Sequence, residues 1–109
     1  MNASYSYITD LLTQIPDIPP DSIVSRTFYQ DEQMKAILFG FAAGQELSEH
    51  TASQPAVLHI LQGKADLTLG DDSMEAETGA WVHMPPRLPH SLYAKTPVLM
   101  LLLLFKAPK

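Results

Sequence analysis

The stretch Val98–Phe105, VLMLLLLF, is apolar at every position. A strand with one face in water alternates apolar and polar residues, so an unbroken run predicts a strand covered on both faces. Even with Pro97 ahead of it the run is too short to cross a bilayer. The chain must therefore supply an apolar surface on each side of this strand. One is the core of a small domain. The other is expected to be a second copy of the chain, since large bare apolar patches are rare on monomers. That predicts a homodimer through an outer sheet face. The alternative is that the N-terminal helix covers the same face.

The rest of the chain reads as one domain, residues 1–109, because 109 residues support a single core. In YSYITDLLTQI, residues 5–15, the positions Tyr7, Ile8, Leu11, Leu12 and Ile15 have helical spacing, and Ser4 or Ser6 can cap the start. The following PDIPP, Pro16–Pro20, must end such a helix, as proline has no amide hydrogen to donate. The N-terminal helix and its proline-rich connection thus occupy 1–20, and a β-barrel occupies 21–109. Strands are expected at Ile23–Tyr29, Met34–Ala42, Leu47–His50, Ala56–Leu61, Ala65–Leu69, Met74–Ala76, Ala80–Met84, Ser91–Ala94 and Val98–Lys106. Turn-forming residues separate them, as in YQDEQ, AAGQ, QGK and LGDDS. Many short strands with no later helix to cross over predict an all-β antiparallel sandwich or barrel.

Composition excludes several chemistries. There is no cysteine, hence no disulfide, no thiolate nucleophile and no cysteine-ligated zinc. The net charge is −5 and the seven Lys and Arg are scattered, so no basic stripe exists to follow a nucleic-acid backbone. The opening residues MNASYSYITDLL have no basic stretch ahead of an apolar one, so no secretory leader is expected; a cytoplasmic protein without membrane partners is the default. Motifs for a serine nucleophile elbow, a phosphate loop or an HExxH zinc helix are missing.

What carries chemistry is a pair of histidine-bearing segments framed by glycine. Gly44, His50 and Gly63 fit the pattern G-x5-H-x-H-x3-E-x6-G, and Gly79, Pro85 and His90 fit G-x5-P-x-G-x2-H-x3-N. In this frame the chain resembles the cupin superfamily, of the small single-domain RmlC-like kind. The resemblance implies a jelly-roll barrel, or double-stranded β-helix, with a site in its mouth. Metal-binding cupins take their ligands from the two histidines and the glutamate of the first motif and the histidine of the second. This sequence departs from that set: Ala52, Ala56 and Ala94 stand at three polar positions, and Arg87 replaces the glycine of the second motif. Only His50 and His90 carry over. Two imidazoles are a poor cage for a first-row metal, which takes at least three protein ligands in a catalytic site.

Strand parity assigns the remaining candidates. Ala52, Ala56, Leu58 and Ile60 are expected to share the inner face with His50, and with Met84 and Arg87 they are the pocket-lining candidates. His59 and His83 are expected on the outer face as cross-strand neighbours and interface histidines, unless a bulge at SQPA reverses the parity. Glu46 has the parity of His50 and is the candidate carboxylate. Arg87, in PPRLPH at the rim, can pair with an anion through its planar guanidinium. Trp81 and Tyr93 are read as core or interface aromatics.

Two functions remain open. One is an enzyme of the dioxygenase, decarboxylase or isomerase class, with a divalent ion (Fe, Mn, Ni or Zn) on His50 and His90, or with one of those imidazoles as a metal-free general base. The other is a non-catalytic barrel that binds or senses a small molecule, which the three alanines suit by making its interior more apolar. A ligand-free structural dimer is the least favoured reading.

Overall fold

The computed structural model describes residues 4–106. Nine strands run from β1 (Ile23–Gln30) and β2 (Met34–Phe41) through β3 (Glu46–His50), β4 (Ala56–Gln62), β5 (Lys64–Leu69), β6 (Asp72–Glu77), β7 (Trp81–Met84) and β8 (His90–Ala94) to β9 (Val98–Phe105). Each lies where the turn residues in the sequence bracket it. All pairings are antiparallel, and they make two sheets with the orders β1-β2-β9-β4-β7 and β3-β8-β5-β6. The architecture is the expected jelly roll, with strands distant in sequence paired at its centre.

The core fills the space between the two sheets. Phe41, Leu58, Ile60, Leu67, Leu92, Val98 and Met100 meet there, each no more than 2% exposed. Fully burying a side chain of this size contributes about 1.5–3 kcal/mol, so this cluster is the main favourable term for folding. The outer faces differ. On the four-stranded sheet Asp66, Glu75 and Lys95 form ion pairs in solvent, with Lys64 and Glu77 beside them. Lys95 donates to Glu75 at 2.6 Å, which holds that carboxyl below its ordinary range. Such exposed pairs add little stability; they mark a wet surface.

The outer face of the five-stranded sheet is apolar. β9 is flanked by β2 and β4, with Leu38 opposite Leu101 and Ala36 opposite Leu103. Part of this face is covered by the N-terminal segment: Ile15 joins Leu38 and Leu99 in a second cluster, with Leu12, Ile18, Val24 and Phe28 packed around them. Gly40 permits that approach, because a Cβ there would lie 2.9 Å from Ile18 Cγ1. Beyond the contact a groove of about 640 Å³ runs between Tyr7, Leu11, Phe28, Met34, Leu101 and Leu103.

The expected N-terminal helix is not formed. Only Leu11–Gln14 turns, as a 3-10 helix, and its N-cap is Asp10, not Ser4 or Ser6. Asp10 accepts from the Leu12 amide at 3.0 Å, and its carbonyl accepts from the Thr13 hydroxyl at 2.7 Å. Starting a helix costs several fixed residues before the first hydrogen bond is gained. Between Asp10 and Pro16 there is too little chain to recover that cost. The aromatic and β-branched residues ahead of Asp10 are weak helix formers, and Tyr5 and Tyr7 are 76% and 77% exposed.

At the other end of β1 a carboxylate fixes the hairpin. Asp31 accepts from the amides of Gln33 and Met34 at 2.8 and 2.9 Å and from the Tyr29 hydroxyl at 2.6 Å. These donors hold the Asp31 carboxyl below its usual range, the tyrosine bond first among them.

Gly63 is fixed by two independent constraints. Its φ is +103°, in the region L side chains avoid, and a Cβ would lie 2.3 Å from the Pro97 carbonyl oxygen. Gly63→Ala is expected to destabilise the protein by at least about 2 kcal/mol, read as a lower midpoint in urea with an unchanged slope.

Candidate functional site

β3 and β8 are neighbours in the four-stranded sheet, and their register sets His50 directly opposite His90. The two imidazole rings lie 4.1 Å apart between centroids, tilted by 58°. A local irregularity brings this about. Glu46 pairs with Tyr93 and Leu47 with Leu92, but the next pair is His50 with His90, so β3 carries an extra residue between Leu47 and His50. Leu92 is buried in the core and Leu47 packs against the same cluster. Without the bulge the inward position after Leu47 would be Glu49; with it, His50 comes to the inner side.

The same bulge corrects the reading of Glu46. Simple alternation puts Glu46 and His50 on one face, whereas Glu46 stands opposite Tyr93, which is 43% exposed, on the outer side of the sheet. The carboxylate is turned away from the imidazoles. Among the described residues no group of three or more His, Asp or Glu side chains is placed to hold a metal ion.

Both rings are oriented by backbone carbonyls two residues earlier in the chain. His50 Nδ1 lies 2.9 Å from the Ser48 oxygen, and His90 Nδ1 lies 2.8 Å from the Leu88 oxygen. A carbonyl only accepts, so each Nδ1 carries the hydrogen, and Nε2 is the ring atom that would accept from a ligand when the ring is neutral. These two carbonyls are functional groups that sequence reading missed, and no residue pattern signals them. Burial distinguishes the pair: His50 is exposed, while His90, between β3 and β5, is 9% exposed.

The loop after β3 and the loop before β8 are tied together. The Arg87 amide donates to the Ala52 carbonyl at 2.7 Å, joining the loop after His50 to the loop before His90. Residues Pro85–Leu88 form a turn closed by Leu88 N donating to Pro85 O at 3.4 Å, with Pro86 and Arg87 at its centre. Arg87 has a φ of +66°. Proline followed by a positive φ is the pattern of a type II turn, whose third position favours glycine. Ala52 is half-buried in its loop and Arg87 is exposed.

The other pocket candidates are core residues. Ala56, Leu58, Ile60 and Met84 are between 0% and 3% exposed and pack in the cluster between the sheets. His59 and His83 occupy the opposite side of β4 and β7. His59 faces Trp81 and Val57 faces His83, so the two histidines are diagonal and not directly opposite. Trp81 beside them is 61% exposed.

A family model for the cupin domain matches residues 37–105. The chain belongs to the cupin family. Solved structures agree with the fold of this cupin. A conserved protein of unknown function, SPY1581 from Streptococcus pyogenes, is 29% identical, with 100% of this chain and 95% of that one covered at a TM-score of 0.84. A cupin superfamily protein from Desulfitobacterium hafniense is 22% identical over 98% and 97% of the two chains, also at 0.84. KdgF from Halomonas sp. is 17% identical over 80% and 81%, at 0.75. No curated protein matches the chain. Its cupin frame keeps one histidine from each motif and sets the two in contact.

If Glu46 plays no part at the mouth, Glu46→Gln leaves the imidazole Cε1–H resonances of His50 and His90 where they are in the parent protein. A displacement of either by more than the spread seen at remote histidines would show that the carboxylate reaches the site.

Proposed function

We propose that this cupin is a small-molecule binding barrel in which His50 and His90 grip the ligand together, without a resident catalytic metal. The observation that supports this most is the pair itself: two rings 4.1 Å apart, each held through Nδ1 by a backbone carbonyl. The two Nε2 atoms form a ready acceptor pair for the hydroxyl or acid group of one small organic molecule. The half-buried Leu47, Leu69 and Leu88 pack against the core close to this pair and offer an apolar contact for the ligand's body.

The donor set supports the metal-free reading over the metalloenzyme one. A catalytic Fe, Mn, Ni or Zn centre takes three or more protein ligands, and here Ala52 and Ala56 stand at two of the ligand positions while Glu46 faces outward. The imidazoles fit a ligand's hydrogen bonds better than they fit a first-row ion. Protein purified without a histidine tag is expected to contain far less than one equivalent of any transition metal by elemental analysis. Near-stoichiometric metal that disappears in both His50→Ala and His90→Ala would replace this reading with a metal-dependent enzyme.

We also propose that the cupin works as a homodimer through the outer face of its five-stranded sheet. Trp81, Leu101 and Leu103 with His59 and His83 make an apolar surface bearing two imidazoles, next to the part that the N-terminal segment covers. Partly polar apolar patches of this kind suit an isologous contact. Sedimentation equilibrium should give about twice the 12.1 kDa chain mass, and Trp81→Glu should return the monomer mass. A parent protein that is monomeric at micromolar concentration contradicts the dimer.

A further inference from the structure

We propose that Arg87 is the specificity residue of the mouth and that the molecule held by His50 and His90 is a small carboxylate; this rests on the binding reading above. Three observations converge on it. First, Arg87 occupies the third position of the Pro85–Leu88 turn at a φ of +66°, where glycine would sit without strain. An arginine there works against the local backbone, and among the described residues its side chain makes no hydrogen bond or ion pair. Second, the turn is built into the site. Its last carbonyl, that of Leu88, orients the His90 ring, and the Arg87 amide is bonded to Ala52, two residues beyond His50. Third, the guanidinium has no carboxylate of its own. The ion pairs among the described residues are Lys64–Glu77, Lys95–Asp66 and Lys95–Glu75, all on the far sheet face. Glu49, next to His50 in the bulge, makes no ion pair with either His50 or Arg87.

Among the described residues Arg26 also lacks an acidic partner, but Arg87 stands on the turn that orients His90, where it places a positive charge in a chain whose net charge is −5. The guanidinium presents a planar fork of donors that matches the two oxygens of a carboxylate, which a lysine ammonium does not. With Arg87 on the carboxylate, the imidazole Nε2 atoms are left for a hydroxyl or acid hydrogen on the same molecule. The mouth is thereby divided into a charged contact and a hydrogen-bonding contact. No bond is made or broken; the site discriminates by charge.

The test compares 3-hydroxybenzoate with 3-hydroxybenzamide, its neutral isostere (benzoate and benzamide for short), on the full chain, since each carries the hydroxyl from which the Nε2 atoms accept. Titrations are followed through the imidazole Cε1–H resonances of His50 and His90. Benzoate should move both signals and bind at least tenfold more tightly than benzamide. Arg87→Gly should weaken benzoate at least tenfold and leave benzamide unchanged, while Arg87→Lys recovers only part of the loss. The same Arg87→Gly should melt several degrees higher than the parent, because glycine relieves the turn, so lost binding cannot be ascribed to unfolding. Equal binding of the two probes, or benzoate binding unaffected in Arg87→Gly, overturns the assignment of Arg87 while leaving the histidine pair in place. If neither probe moves either histidine, the binding reading and the inference fall together.

Discussion

Everything in this barrel is organised around burying β9 from two sides. The strand sits third of five, paired along its whole length with β2 and over most of it with β4. Its even-numbered residues enter the core between the sheets, and its odd-numbered ones face the outer surface where Leu99 meets Ile15 and Leu38. Because β2 and β4 can only be bridged by this last strand, the five-stranded sheet is complete only when the C-terminal stretch has docked. The four-stranded sheet then closes over the same core and presents β3 and β8 side by side. The histidine pair is set within that sheet: its two members come from segments distant in sequence that the β3–β8 pairing brings side by side.

The sequence was most legible where turn chemistry and periodicity agreed. Strand limits lie within a residue or two of those read from the turns because Gly, Asp and Pro clusters leave the chain few other conformations. The all-apolar β9 could be read as a strand between two apolar surfaces; the core is one, and the N-terminal segment supplies part of the other at Leu99. The glycine frame identified the family, since spacing is retained even where three polar positions have become alanine. Two features were not legible. The N-terminal apolar spacing matched a helix, but the same residues serve an irregular segment that lays Leu12, Ile15 and Ile18 onto the sheet, with Gly40 admitting the closest approach. Periodicity reports which side chains must be buried, not the backbone that buries them.

The site was half legible. His50 and His90 could be paired from the motif frame, yet the parity argument for Glu46 failed because it assumed an unbroken strand. A bulge adds a residue without leaving a mark in a short polar segment such as ELSEH. The orienting carbonyls of Ser48 and Leu88 lie beyond any reading of side-chain identity. The Pro86–Arg87 turn, in contrast, could have been found: proline followed by the position where the family frame has glycine is a type II pattern. Chemistry that depends on backbone placement is the part a residue string conceals.

The extra residue in β3 also sets how this mouth can be lost or gained over evolutionary time. A regular β3 of the same length would turn Glu49 inward opposite His90 and rotate His50 to the far side of the sheet, whereas a strand one residue shorter would keep the histidine inward with no bulge. Closing the bulge, which alters no residue, would therefore exchange an imidazole pair for a carboxylate beside an imidazole. In relatives of this barrel the spacing between the inward leucine and the histidine tells whether that histidine needs a bulge to face its partner.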